Sequence, residues 1–459
     1  MSDVEELKKE RIQIYSDLYS GKTPKRLLVG NPMQLEASAA YAGIPIAEAN
    51  WDPAKKEEAV SKVAADFKGD TGPAINRRYA LYFQLLGART FIMASTGYLQ
   101  HPDVHGMEPE DYDALIKSPY DCIMERILPR LYRELDTTPE KKMLALAKAL
   151  KANADEAAAV GAINGRLAAK YGYPGLPGSQ TTAPFDFLAD FFRSFKGING
   201  DLRRYPEKVI EACDALLPLQ VKKGQIAARP KFGATSIPLH MGPFLNTKDF
   251  EKFYWPSLKK LIETLTEMGI TVSVFCEHDF TRFLDHLQDL PANTILRFEY
   301  GDPKLFTEKL GKKFVLSGLF PLSSIHEKTK EQCLDDVKRF LDIVMPRSHL
   351  FYFSPNKEAM DIHGNFVENM KAVQEYILEH AHYDNPEGDG TLFEKLPNRS
   401  TEIVAKIDKD LSANSKYFTN WEDYLGSHPE LAARKEPVVQ QRVMAQENQM
   451  FNFIINICS

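Results

Sequence analysis

Between residues 234 and 354 the chain repeats one device: a short apolar run that closes on a polar residue. Ser236-Ile237-Pro238-Leu239 leads to His240, and Val272-Ser273-Val274-Phe275 leads to Cys276, Glu277 and His278. Ile295-Leu296-Arg297-Phe298 leads to Glu299, Phe314-Val315-Leu316 to Ser317, and His349-Leu350-Phe351-Tyr352-Phe353 to Ser354. Helix-like stretches separate the runs. Apolar runs of this length between amphipathic helices read as βα units around a parallel sheet. In a closed (β/α) barrel the C-terminal ends of different strands converge on one mouth. The pattern therefore predicts an enzyme site assembled from His240, Cys276, Glu277, His278 and Glu299.

A single barrel can absorb a chain of 459 residues. A hydrophobic content of 44% is enough for a large core. The net charge of −6 offers no field for nucleic acid or an anionic membrane, and neither is expected as a partner. No apolar stretch approaches the roughly 20 residues of a membrane helix. The acidic start, Met1-Ser2-Asp3-Val4-Glu5-Glu6, is unlike a signal peptide. Cys122, Cys213, Cys276, Cys333 and Cys458 are scattered, odd in number and never in a CxxC pair. That usage fits a reducing cytoplasm.

Three segments are expected: an N-terminal helix within 1–25, a barrel over 26–383 and a tail over 384–459. The barrel opens with a strand at Arg26-Leu27-Leu28-Val29, followed by a helical excursion through much of 35–160 that an extended stretch at Thr90-Phe91-Ile92-Met93-Ala94 interrupts. A helix from Thr247 to Met268 begins on a capping threonine and stops before Gly269. The tail closes on Met450-Phe451-Asn452-Phe453-Ile454-Ile455. Left in water it would be a costly patch, so it should pack on the barrel or on a second subunit of a homodimer.

Several stretches resemble the uroporphyrinogen decarboxylase superfamily, in its methyltransferase-like branch. They are Pro184-Phe185-Asp186-Phe187-Leu188-Ala189-Asp190-Phe191-Phe192-Arg193-Ser194-Phe195-Lys196-Gly197, Ile237-Pro238-Leu239-His240-Met241-Gly242, Phe253-Tyr254-Trp255-Pro256 and Phe275-Cys276-Glu277-His278. Phe298-Glu299 with Asp302, Ser317-Gly318-Leu319-Phe320-Pro321 and Glu368-Asn369-Met370-Lys371-Ala372 follow in the same order. The resemblance implies a (β/α)8 TIM barrel. It also implies transfer of a methyl group from a small methylated ether, amine or thioether to a corrinoid (cobalamin) carried by a partner protein. Two departures from the family matter. Porphyrinogen decarboxylases carry an N-terminal Arg-Gln-Ala-Gly-Arg-Tyr motif that binds substrate carboxylates, whereas the first strand here runs into Gly30-Asn31-Pro32-Met33-Gln34-Leu35-Glu36. Without those cations a tetracarboxylate would be difficult to hold. The corrinoid-dependent methyltransferases carry a His-x-Cys zinc motif and a distant second cysteine. Here Val274 stands in the histidine's place before Cys276, and Phe353-Ser354-Pro355-Asn356 offers no second thiol.

Zinc requires three N, S or O ligands and an open position for catalysis. His240, Glu277 and Glu299 could supply them, with Cys276 as the alternative to Glu277. Neighbours on a strand face opposite ways, which favours Glu277 in the pocket and Cys276 in the core. The expectation is a weak, oxygen-rich zinc site or none, with carboxylate acid catalysis in its place. His240 could equally be a core histidine bonded to a carbonyl, and His278 and Asp279 could cap the next helix, Asp279 being suited to it. Arg193 and Lys196 are candidates to grip a substrate carboxylate or a corrinoid side chain, against an ion pair with Asp190 or Asp201. Tyr98, with His101 and His105, sits in an excursion that could cover the mouth, and Phe320 is a further candidate to touch substrate. Phe253 and Trp255 read as core. Two other readings remain beside methyl transfer: a decarboxylase of a small acid, with Glu277 or Glu299 as proton donor, and a non-catalytic barrel that binds a corrinoid or methylated ligand.

Overall fold

The computed structural model describes residues 3–458, except 76–79, 176–177, 227–232, 293, 385, 387–400 and 431–436. Seven strands form the central sheet: β1 (Leu28–Val29), β4 (Ser179–Gln180), β5 (Ala234–Leu239), β6 (Thr271–Asp279), β7 (Ile295–Tyr300), β8 (Val315–Gly318) and β9 (Phe351–Phe353). Their hydrogen-bonded order is β1-β9-β8-β7-β6-β5-β4, every pair parallel. Each successive pair from β4 to β9 is bridged by helix, as parallel pairing requires. The first strand bonds the last, so β1 and β4 are the two edges of the order.

This is an α/β fold of the TIM-barrel kind. Among the described residues no strand pairs β4 to β1, where the eighth strand was expected. The extended stretch at 90–94 instead gives β2 (Ile92–Met93), which pairs antiparallel with β3 (Leu99–Gln100) outside the main sheet. The turn between them is tight because Gly97 adopts φ 89°.

Alternation within β6 sets the layers. Val272, Val274 and Cys276 are wholly buried, whereas Ser273, Phe275 and Glu277 are half-buried on the opposite face. At the end of β8, Gly318 at φ 84° lets the chain lie against β7: a Cβ there would stand 2.1 Å from Phe298 O. The helix expected from Thr247 to Met268 is divided. A short turn at Thr247–Asp249 passes into a π-helical turn at Phe250–Tyr254 and then into Trp255–Glu267, whose second residue, Pro256, has no N–H to donate. Asn246 caps it, accepting from Asp249 N, rather than Thr247.

Two buried charge clusters tie the ends of the chain to the barrel. Asp70 accepts from Arg26 Nη1 and Nη2 (2.8 and 2.9 Å), Arg11 Nε (3.3 Å) and Val29 N (2.8 Å). In the tail, Lys222 of the helix Pro206–Gly224 bonds Asp408 and Asn448 and lies 5.0 Å from the Phe451 ring centroid. Phe451, Phe453, Ile454 and Ile455 are at most 1% exposed. Phe451 stacks on Tyr120 and Phe453 meets Tyr82 edge-on. Burying side chains of this size contributes roughly 1.5–3 kcal/mol each. All five cysteines are free and buried. Among the described residues no helix is long and apolar enough to cross a membrane.

Candidate active site at the barrel mouth

The chain leaving β4 turns at Pro184–Asp186 into a π-helical segment, Phe187–Arg193. π turns recur at functional sites because the extra residue re-aims side chains. Asp186, 1% exposed, clamps the exit of β5. It accepts from His240 N (3.1 Å), Met241 N (2.9 Å) and the Tyr254 hydroxyl (2.7 Å). Burial pushes its carboxyl up to about 7, and the nearby charge of Asp190 adds to the rise. One turn on, Asp190 Oδ1 lies 3.0 Å from His240 Nδ1. That hydrogen bond holds the imidazole pKa up at about 9 against desolvation, with help from the charges of Asp190, Asp186 and Glu277. His240 is therefore an imidazolium at neutral pH.

Beside it, β6 and β7 slip register between Cys276 and Asp279. Irregularities of this kind re-aim side chains at active sites. His278 is forced to φ 61°, and its backbone N donates to Glu299 Oε2 at 2.5 Å. Lys357 Nζ stands 2.6 Å from the other oxygen. Burial works to raise Glu299, but these two partners hold its pKa below the ordinary carboxylate value. Glu277 goes the other way. Desolvation raises its pKa, and the charges of Glu299 and Asp190 add to the rise, with His240 opposing. Deeper in, the Arg297 guanidinium lies 4.7 Å from the Phe275 ring centroid and pairs with Glu358, which Gln34 also reaches at 3.1 Å. The rings of His240 and His278 lie 6.4 Å apart, with Phe244 edge-on to both. His101, edge-on to Phe91, has its pKa drawn down by desolvation.

The mouth thus gathers His240, Glu277, His278 and Glu299 from the ends of three neighbouring strands. The remaining candidates stand elsewhere. Arg193 is buried, with its guanidinium taken up by Asp201 (2.6 and 3.2 Å) and by Met107 O. It fixes the π segment in place and does not reach for substrate. Lys196 is exposed and pairs with Asp103 at 3.2 Å. Phe320 is 1% exposed, packed between Phe340 and Phe353. The Tyr98 hydroxyl donates to Met360 O at 3.4 Å, and His105 pairs with Glu108. Asp279 accepts from Thr281 N. Phe253 and Trp255 are buried.

The residues at the mouth do not fit zinc. Cys276 is wholly buried on the other face of β6, and its thiol pKa is pushed well up by desolvation, the reverse of a ligand thiolate. Glu299 is committed to Lys357 and to His278 N. His240, Cys276, Glu277 and Glu299 do not bring three ligating atoms within 4.8 Å of one another, whereas His326, Asp361 and His363 do, among the described residues.

Asp186, Asp190, Tyr254, Arg297, Lys357 and Glu358 were not singled out as site residues. Asp186 and Asp190 could have been: two carboxylates four apart, directly after a strand, share one face of a helical turn. Lys357 and Glu358 gave no such sign, since loop charges are ordinarily solvated.

Residues 144–355, a little under half of the chain, match the family model for uroporphyrinogen decarboxylase, URO-D. That stretch is similar to the URO-D family. The matched region runs from within the helix Pro139–Tyr171 to just past β9 and contains Asp186, Asp190, Glu277 and Glu299, whereas Lys357 and Glu358 lie just beyond it. A methyltransferase from Methanosarcina mazei shares the fold, with a TM-score of 0.53 at 14% sequence identity, covering 81% of this chain and 98% of that one. No curated protein matches the chain.

Proposed function

We propose that the URO-D-like region is a methyltransferase that activates the leaving atom of its methyl donor by proton donation from Glu277. The reading is carried by the carboxyl of Glu277, half-buried between an imidazolium and an ionised Glu299, with its pKa raised above the ordinary value. A carboxyl whose surroundings favour its protonated form is suited to general acid catalysis. The methyltransferase fold neighbour and the URO-D match support the same class.

The methyl carbon passes to a cobalt(I) corrinoid presented by a partner protein, which is the second substrate. As the carbon–heteroatom bond breaks, its electron pair stays on the heteroatom, and Glu277 supplies the proton that neutralises it. The products are the demethylated donor and methyl-cobalt(III), and Glu277 recovers its proton from solvent. Asp190 holds the His240 imidazolium beside Glu277, Asp186 fixes the His240 backbone, and Lys357 with His278 N keeps Glu299 ionised, so of the two strand-end glutamates Glu277 is the one whose surroundings favour the proton. An ether oxygen gains most, because a thiolate leaves more readily than an alkoxide and an amine nitrogen can take its own proton from water at neutral pH. The decarboxylase reading fits less well. Arg297, Lys357 and Arg193, the cations that could hold a carboxylate, are each paired with Glu358, Glu299 and Asp201.

The test incubates the chain with cobalt(I) cobalamin and a panel of methyl ethers, methylamines and methyl thioethers, following methylcobalamin by absorbance. Donor-dependent methylation, strongest with an ether, is expected. Release of carbon dioxide from small acids without methylation from any donor would overturn the proposal.

A further inference from the structure

Outside the mouth, two histidines and an aspartate meet where the loop after β9 touches the helix after β8. His326 belongs to that helix, Leu322–Glu327, and is buried, whereas Asp361 and His363 are exposed in the loop. One ligating atom from each lies within 4.8 Å of the others. His326 Nδ1 lies 3.1 Å from His363 O, a carbonyl that can only accept, so the ring proton sits on Nδ1 and Nε2 carries a lone pair. Nε2 is 3.8 Å from Asp361 Oδ1, and the same oxygen is 2.5 Å from His363 Nδ1. The two imidazoles stack at 4.0 Å and 11°. The backbone is moulded to the contact: Gly364 takes φ 62°, a Cβ there would stand 2.2 Å from His326 O, and Asn365 N donates to the same carbonyl at 2.8 Å.

An imidazole fixed through one nitrogen by a backbone carbonyl, with the other left bare toward a carboxylate, is the arrangement of a metal-ligating histidine and its outer partner. We propose that His326 Nε2, Asp361 and His363 Nδ1 bind one divalent transition-metal ion of the zinc class, His363 releasing to solvent the Nδ1 proton it now shares with Asp361. Two imidazoles and a carboxylate suit Zn2+ or Co2+ better than the all-oxygen preference of Ca2+ or Mg2+. Ligands 2.0–2.1 Å from a tetrahedral ion lie about 3.4 Å apart. Asp361 would therefore move less than about 1 Å away from His363, and, because each imidazole lone pair lies in its ring plane, the exposed His363 ring would turn out of the stack to face the same ion. The exposed side of the loop leaves the remaining position to water.

The ion would act at a distance from the reacting atoms. The loop it fastens also carries Asn356, Lys357 and Glu358, which bond Glu299 O, the Glu299 carboxylate and Arg297. Clasping Asp361 and His363 to the helix after β8 holds that loop, and with it Lys357, against the mouth. The proposal does not rest on the methyl-transfer reading, since binding is measured without any donor or corrinoid.

The experiment strips the full chain with chelator and titrates it with Co2+, by visible absorbance and calorimetry. One equivalent should bind, with ligand-field bands of nitrogen and oxygen ligation and no thiolate charge-transfer band. His363→Ala and Asp361→Asn, both at exposed positions, should each weaken binding by at least about tenfold, while Cys276→Ser leaves it unchanged. Absence of saturable binding to wild-type protein would overturn the proposal. So would binding that survives in both loop variants, or that carries a thiolate band lost in Cys276→Ser.

Discussion

Asp70 is wholly buried and Glu277 half-buried, and the two acids keep different company. Around Asp70, Arg11, Arg26 and the Val29 amide meet both carboxylate oxygens, and Glu10 balances the second arginine at 3.0 Å. At the mouth, Asp186, Asp190 and Glu277 share a single imidazolium, His240. A matched cluster holds a fold together. A surplus of buried acid stores protons, which a fold has no use for and a reaction does.

Substitution at the two sites should separate these roles. Glu277→Gln should lower methyl-transfer turnover by about 10²–10⁴-fold, the usual worth of a general acid, while the urea midpoint stays the same or rises. A variant that unfolds instead would place Glu277 with the structural charges. Asp70→Ala should do the reverse, costing about 3–5 kcal/mol in stability by stranding two buried guanidinium groups, measured by denaturant unfolding. If it unfolds at the wild-type midpoint, Arg11 and Arg26 find other partners and the contrast fails.

The proton surplus should also appear in the pH dependence of stability. Both resolved values at the mouth are raised, so the native state holds protons that the unfolded chain has released. His240 contributes stability that is fully present below about 6.5 and lost as pH rises through about 9. Asp186 contributes stability that is fully present below about 3.8 and lost as pH rises through about 7. Urea midpoints of wild type and His240→Gln should therefore differ most at low pH and converge above about pH 9. Parallel curves would mean that His240 carries no proton beyond its ordinary range.

The smallest effect is expected at Lys357. It is half exposed, so Lys357→Met should change stability by less than about 1 kcal/mol. It should nevertheless raise the Glu299 pKa, adding a second protonated acid at the mouth and moving the pH–rate profile. A profile identical to wild type would remove Lys357 from the account.

The strands from β5 to β9 were readable because each apolar run lies within its strand, and the polar residues that follow it, in the strand's last residues or just past them, are where the mouth begins. Alternation alone put Glu277 opposite Cys276. The first half of the barrel was less readable: β1 and β4 each span two residues, too short for a periodic pattern, and the apolar stretch at 90–94 went to a side hairpin. At the site, sequence named the acids but not what tunes them. Asp190 reaches His240 through a π turn, and Lys357 reaches Glu299 from a loop 58 positions on, contacts that no local spacing encodes. Arg193 misled because a cation at a strand-to-helix junction looks like an anchor, and only burial against Asp201 shows otherwise.

Infrared difference spectroscopy, wild type minus Glu277→Gln across a pH titration, would read the state of this carboxyl directly. The expected result is a protonated carboxylic acid band from Glu277 that persists above the ordinary glutamate value of 4.5 and disappears at higher pH. A Glu277 already ionised at or below that value would contradict it, because the mouth would then hold no acid to give.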